Sequence, residues 1–253
     1  MKLAILYALG SATLFGASTP LAKWLLSSGH KDLSPLLLAG LLYLGSGLGL
    51  FIVRCIRDKG FKKPHLTTSE WPWLLGAITF GGVLAPIALV LGLTLTSGSI
   101  ASLLLNLEAV LTAVLAWLVF KEHTDKRMVL GMFIIVLGSV LLSTTHDAHS
   151  TESGYFGPTL IALACFCWAI DNNFTRKVAS SDAVFIASIK GLIAGLVNTA
   201  IAFIVMQNLS LPNWTITLAS MALGFAGYGI SLVMFVLALR GLGAARTGAY
   251  FST

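Results

Sequence analysis

GSIASLLLNLEAVLTAVLAWLVFKEHTDKR, residues 98–127, decides the fold. Its first 23 residues, 98–120, carry a single charge, Glu108, and the run ends on Lys121, Lys126 and Arg127. At about 1.5 Å of rise per residue, such a run crosses a hydrocarbon core roughly 30 Å thick. A basic cluster directly after it is what holds the end of a span on the cytoplasmic side. The apolar residues are continuous and do not alternate with polar ones, which predicts a helix and not a barrel strand.

The same grammar repeats outward in both directions. Apolar stretches cover 3–26, 34–53, 71–94, 98–120, 128–144, 157–175, 183–206 and 214–239, and a ninth begins near Ala244 and stops at Thr253. With the N-terminus placed inside, Lys2, Arg54, Arg57, Lys59, Lys62, Lys63, Lys121, Lys126, Arg127, Arg176, Lys177, Arg240 and Arg246 fall on inside segments, and Lys31 alone falls outside. That asymmetry predicts a multi-pass protein of the plasma (inner) membrane with a cytoplasmic N-terminus. The first stretch runs on to Leu26, too long for the apolar part of a cleaved signal, so it reads as a retained helix. Composition agrees: 57% of residues are apolar and 10% charged, against about 25% charged in soluble domains. The net charge of +6 sits in short clusters between spans, which excludes a nucleic-acid surface. Cys55, Cys165 and Cys167 match no metal spacing and read as free, buried thiols.

The chain also resembles itself. Residues 8–25 align with 162–179 at an offset of 154, and the small-residue helix entry 96–107 matches 242–253 at an offset of 146. Two five-helix units follow, 1–144 and 157–253. An odd number of spans inserts the second unit upside down, an inverted repeat that places a ligand site near the midplane. Repeat arithmetic predicts a counterpart of 108–144 beyond Thr253, so the second unit reads as truncated in its ninth helix, from a protein of about 290–300 residues.

Several motifs in this order resemble one family: the small-residue and Phe-Gly pattern before Lys23 in the first span, TSGSIASLLL (96–105) entering the fourth, FKEHT (120–124) leaving it, and GMFIIVLGSVLL (131–142) as the fifth. Together they look like the EamA domain, which occurs in tandem in the drug/metabolite transporter superfamily. The resemblance implies an all-α, ten-helix fold of two inverted repeats with both termini inside. It also implies a permease for amino acids, metabolites, nucleotide sugars or drugs. One departure is Glu108, where many such repeats carry Pro.

Ionisable groups inside a membrane cost roughly 2.5–3.5 kcal/mol on insertion scales and usually face a cavity or a partner. Glu108 has ten residues of its span before it and twelve after, so it cannot reach either surface. Lys190 lies eight residues past Asp182, about 12 Å deep. Asp171, followed by Asn172 and Asn173, lies five residues from Arg176. Glu108 and Lys190 are expected to line a central cavity from opposite halves, or else to form a buried ion pair that sets helix register. Thr112 shares the Glu108 face, and Trp168 is placed as a cavity liner or a packing residue. If a proton is coupled, Glu108 is expected to carry it. Lys23 is expected to snorkel, and Trp24, Trp71, Trp73 and Trp214 to belt the span ends. Pro20 and Pro86 should kink or break their helices. Gly191 with Gly195, and Gly131 with Gly138, should let helices pack closely.

His146, Asp147, His149 and Glu152 share an outer loop, read as polar surface and not as a metal site. No P-loop, nucleophile elbow or zinc motif appears, and no cofactor is expected. The function expected is a secondary transporter, an exporter of small polar metabolites or amino acids working by alternating access. An intramembrane lipid-modifying enzyme and a non-catalytic membrane subunit are the alternatives. Its partners are a small-molecule substrate and the lipid bilayer, with proton coupling and a homodimer left open.

Overall fold

The structure, a computed structural model, describes residues 2–27, 33–60, 66–96, 98–122, 129–134, 136–138, 155–206 and 212–251. Among these are nine helical spans. They are α1 (Lys2–Ser27), α2 (Pro35–Arg57), α3 in three pieces (Trp71–Ala77, Ile78–Leu84, Ala85–Thr94), α4 in two (Gly98–Leu105, Leu107–Leu118) and α5 (Val129–Gly138). After these come α6 (Phe156–Val178), α7 (Ala183–Val205), α8 in three pieces (Trp214–Leu223, Gly224–Ile230, Ser231–Leu242) and α9 (Ala244–Phe251). Side chains of Lys23 and the loop 145–154, with its two histidines, lie outside the described residues.

Five spans, α1, α2, α3, α7 and α8, are long and apolar enough to cross a membrane by themselves. α6 has 23 residues, the same length as α2 and α7, but carries Asp171, Asn172 and Asn173. All three are buried, so the helix turns its polar stripe into the bundle and its apolar stripe outward. α4 is interrupted at Asn106, two residues before Glu108.

The two halves repeat in structure. α6 begins 154 residues after α1 (Phe156, Lys2), α7 148 after α2 (Ala183, Pro35) and α9 146 after α4 (Ala244, Gly98). The equivalent helices α2 and α7 lie against each other and run antiparallel. Gly40 meets Thr199, Gly195 meets Leu44, and Gly191 meets Gly47, so one numbering rises as the other falls. A Cβ at Gly191 would sit 2.6 Å from the Gly47 nitrogen and 2.9 Å from the Tyr43 carbonyl oxygen. Only glycine admits this backbone-on-backbone approach. Among the described residues, a Cβ on Gly131 or Gly138 meets no atom within 4 Å.

Each half also contains one π-helical stretch, Ile78–Leu84 in α3 and Gly224–Ile230 in α8, again 146 residues apart. Pro86 accounts for the first. It has no N–H to return to the carbonyls one turn earlier, and the ladder widens ahead of it. The carbonyls of Gly81 and Gly82 instead accept Trp168 Nε1 at 3.2 Å and Asn198 Nδ2 at 2.7 Å. The α8 stretch, GFAGYGI, has no proline. α1 stays helical through Pro20.

One end of the bundle gathers every described segment that the basic residues assign to a single side. Arg57 pairs with Asp182, and Arg54 lies 3.6 Å from the same carboxylate. Arg176 lies 3.7 Å from Glu122, which also accepts the Ala244 N–H at 3.0 Å and so caps α9. Glu70 accepts from Ser180, and Lys177 sits over the rings of Phe120 (5.1 Å) and Trp73 (5.9 Å). All of these contacts join residues of the first half to residues of the second.

Candidate functional site

The polar centre grows from α6. Asp171 and Thr175 are one turn apart on one face, and Thr175 donates to Asp171 Oδ1 at 2.8 Å. Lys190 of α7 brings its ammonium to Asp171 Oδ1 at 2.5 Å and to Thr175 Oγ1 at 2.9 Å. Lys190 is 4% exposed and Asp171 8%, so both charges are out of water and each is the other's compensation. Gly81, in the π stretch of α3, presses against the Asp171 carboxylate, where any side chain would collide.

Asn172 faces the other way and links α6 to α4. Its Nδ2 donates to Glu108 Oε1 at 3.0 Å and to Thr112 Oγ1 at 3.1 Å. Asn173 ties the same two helices by donating to the Thr112 carbonyl at 3.1 Å. Glu108 is half-buried, and its ion pairs among the described residues are none. Trp168, also half-buried, is held by its bond to Gly81.

A series of aromatic contacts joins the remaining helices. Tyr43 (α2) and Tyr228 (α8) stand edge to face at 5.6 Å, Tyr228 meets Phe15 (α1) at 5.2 Å, and Phe15 meets Phe251 (α9) at 5.5 Å. α9 runs antiparallel to α4, since Glu122 caps its start and a Cβ at Gly248 would lie 3.4 Å from Thr112 Cγ2. Phe251 is three residues past Gly248 and Glu108 four before Thr112, so both stand about one turn along from that contact, at one depth. The contacts close into a circuit: Glu108 to Asn172, Asp171 to Lys190, Gly191 to Tyr43, then Tyr228, Phe15, Phe251, and through Gly248 and Thr112 back to Glu108. Seven helices take part, and the Tyr43 hydroxyl is within electrostatic range of both carboxylates.

Glu108, Thr112, Asp171, Trp168 and Lys190 therefore belong to one neighbourhood. The partner of Lys190 is Asp171 of its own half, and Glu108 hydrogen-bonds Asn172. Sequence reading did not find Tyr43, Tyr228, Phe15, Phe251 or Asn198. Asn198 had a signal: it lies eight residues, two turns, past Lys190 on the same helix face. Cys165 and Cys167 are buried thiols, and Cys55 is only partly so.

Inverted helical halves around a charged centre, inside a bundle of membrane-length helices, define a membrane transporter. The chain belongs to the EamA-like transporter family, which it matches over residues 2–144. It is 30% identical over 257 aligned positions to an uncharacterised transporter of Methanothermobacter thermautotrophicus (strain Delta H), covering 95% of this chain and 73% of that protein. It is 25% identical over 215 positions to the uncharacterised transporter YyaM of Bacillus subtilis (strain 168), covering 82% and 70%. A solved structure, titled only as the crystal structure of a protein, shares the fold with a TM-score of 0.77 at 21% identity, over 98% of this chain and 85% of that one.

Proposed function

We propose that this chain is a secondary transporter that exports small polar metabolites or amino acids across the plasma (inner) membrane. It works by alternating access of two inverted EamA-like halves, 1–144 and 157–253, with a cytoplasmic N-terminus. The observation that carries the reading is the closed circuit of seven helices, with Glu108, Thr112, Asn172, Asp171 and Lys190 on one arc and aromatic rings on the other. Glycine-lined contact between α2 and α7 provides the surface on which the halves rock. The charge contacts between the halves at one end, Arg57 with Asp182 and Arg176 with Glu122, are the ones that opening there must break.

Glu108 carries the coupled proton in this scheme, and Lys190 holds Asp171 in place beside it. Family membership and the transporter relatives favour transport over intramembrane catalysis. The test is reconstitution of the full-length protein in proteoliposomes and a panel of labelled amino acids and metabolites, with and without a pH gradient. Gradient-stimulated movement of at least one compound, absent from empty liposomes, is expected. Impermeability to every class of compound in both conditions would refute the proposal.

A further inference from the structure

Charge at the centre does not balance. Asp171 is compensated by Lys190, but among the described residues the Glu108 carboxylate is met only by the neutral amide of Asn172. The circuit thus holds two carboxylates and one ammonium, inside a helical bundle where an uncompensated charge is costly. Nor do the hydrogen bonds balance. Asn173 Oδ1, fully buried, has no partner among the described residues, although the amide nitrogen of the same side chain bonds the Thr112 carbonyl. Thr247 Oγ1, next to Gly248 on the other side of Thr112, is buried without a partner as well. Both atoms are sealed from the surface, so the Glu108 carboxylate is the acceptor that a ligand here would meet.

The rest of the circuit is made of ring faces and edges. Tyr43, Tyr228, Phe15 and Phe251 come from four different helices and touch in series at 5.2–5.6 Å. Phe251 stands at the depth of Glu108. A carboxylate with no cation among the described residues, in the same layer as a run of aromatic rings, is complementary to a positive charge on an apolar body. The carboxylate takes the ammonium, while the rings add cation–π attraction and cover the hydrocarbon. A substrate carboxylate would meet the reverse situation, because the one ammonium present, Lys190, already holds Asp171 and Thr175.

We infer that the substrate is a small organic cation, an amine whose ammonium is received by Glu108 and whose apolar body lies against Tyr43, Tyr228, Phe15 and Phe251. The inference rests on the reading of this chain as a transporter and replaces the substrate class proposed above. It sets an amine apart from a zwitterionic amino acid and from an organic anion.

Three compounds with one ring and similar chain length separate these classes: 2-phenylethylammonium, phenylalanine and 3-phenylpropionate. Binding is measured by isothermal titration on the detergent-purified full-length protein. The cation is expected to bind at least about tenfold more tightly than the other two, a difference of about 1.4 kcal/mol. Glu108→Gln should weaken it about tenfold or more, Glu108→Asp should restore most of the loss, and Tyr228→Leu should weaken it about three- to tenfold. Each variant is first checked for wild-type elution and melting. Wild-type affinity for the cation in folded Glu108→Gln overturns the inference, as does tighter binding of 3-phenylpropionate that Lys190→Met abolishes. Failure of all three to bind at millimolar concentration overturns it too. The same compounds are then followed in proteoliposomes. Movement of the zwitterion or anion but not the cation sinks the cation and leaves the transporter, whereas no movement of any class sinks the transporter reading itself.

Discussion

Replacing Lys190 with methionine removes the ammonium and leaves Asp171 buried with a full negative charge. The two atoms are 2.5 Å apart. At an effective dielectric of about 20, that contact represents about 6–7 kcal/mol of attraction, most of it offset by the cost of taking both charges out of water. What the single substitution exposes is the other side of that balance, an uncompensated buried carboxylate pressed on Gly81, and the expected loss is about 3–5 kcal/mol. For a chain of this length that corresponds to about 10 °C in melting temperature. Lys190→Met/Asp171→Leu removes both charges and should recover most of the loss, because a neutral apolar pair is often as stable as a buried ion pair. The assay is thermal unfolding of wild type, both singles and the double in one detergent, read as a double-mutant cycle. A Lys190→Met protein within about 1 kcal/mol of wild type would refute the reasoning. A double variant no better than the worse single would do the same.

Gly191→Leu drives a side chain into the backbone of Gly47 and Tyr43, so it should cost at least about 3 kcal/mol or prevent folding, as judged by thermal unfolding against wild type. At the ionic end, the Arg57 hydrogen bond holds the part-buried Asp58 carboxyl below its ordinary value, and the Thr67 N–H does the same for Glu70. At Asp182, burial pushes the carboxyl up, but the Arg57 hydrogen bond and the N–H groups of Val184 and Phe185 outweigh it and leave it low. Groups with lowered folded values contribute their full stability above the unfolded values near 4 and lose it as pH falls through the folded ones, so melting temperature should be flat above about pH 5 and decline below about pH 4. Single cysteines introduced in 145–156 of a cysteine-free background should react with an impermeant thiol reagent from outside the cell, and cysteines in 54–70 should be protected; the reverse pattern would invert the topology.

Much of this architecture is legible in the sequence because the membrane imposes it. Each apolar run had to be a helix, and the basic residues at Arg54–Lys63, Lys121–Arg127 and Arg176–Lys177 had to lie on one side. The polar stripe of α6 was visible in Asp171, Asn172 and Asn173, and Thr112 follows Glu108 at one helical turn. Pairing was not visible. Depth alone places Asp171, Glu108 and Lys190 in the same layer, and only the packing of α6 on α7 gives Lys190 to Asp171 and leaves Glu108 to Asn172. The aromatic arc was hidden for a similar reason: its four residues come from four helices, and nothing local distinguishes Tyr228 or Phe15 from any other apolar side chain. Pro86 announces the irregular stretch in α3, but the matching π stretch in α8 has only glycines to mark it.

The most direct test of the central claim is counterflow of a labelled substrate in proteoliposomes containing wild type or Glu108→Gln at equal folded amounts. A carrier whose centre is Glu108 predicts rapid exchange by wild type and loss of exchange, or of its dependence on a pH gradient, in the variant. Exchange by folded Glu108→Gln at the wild-type rate, with the same response to the gradient, would contradict the account.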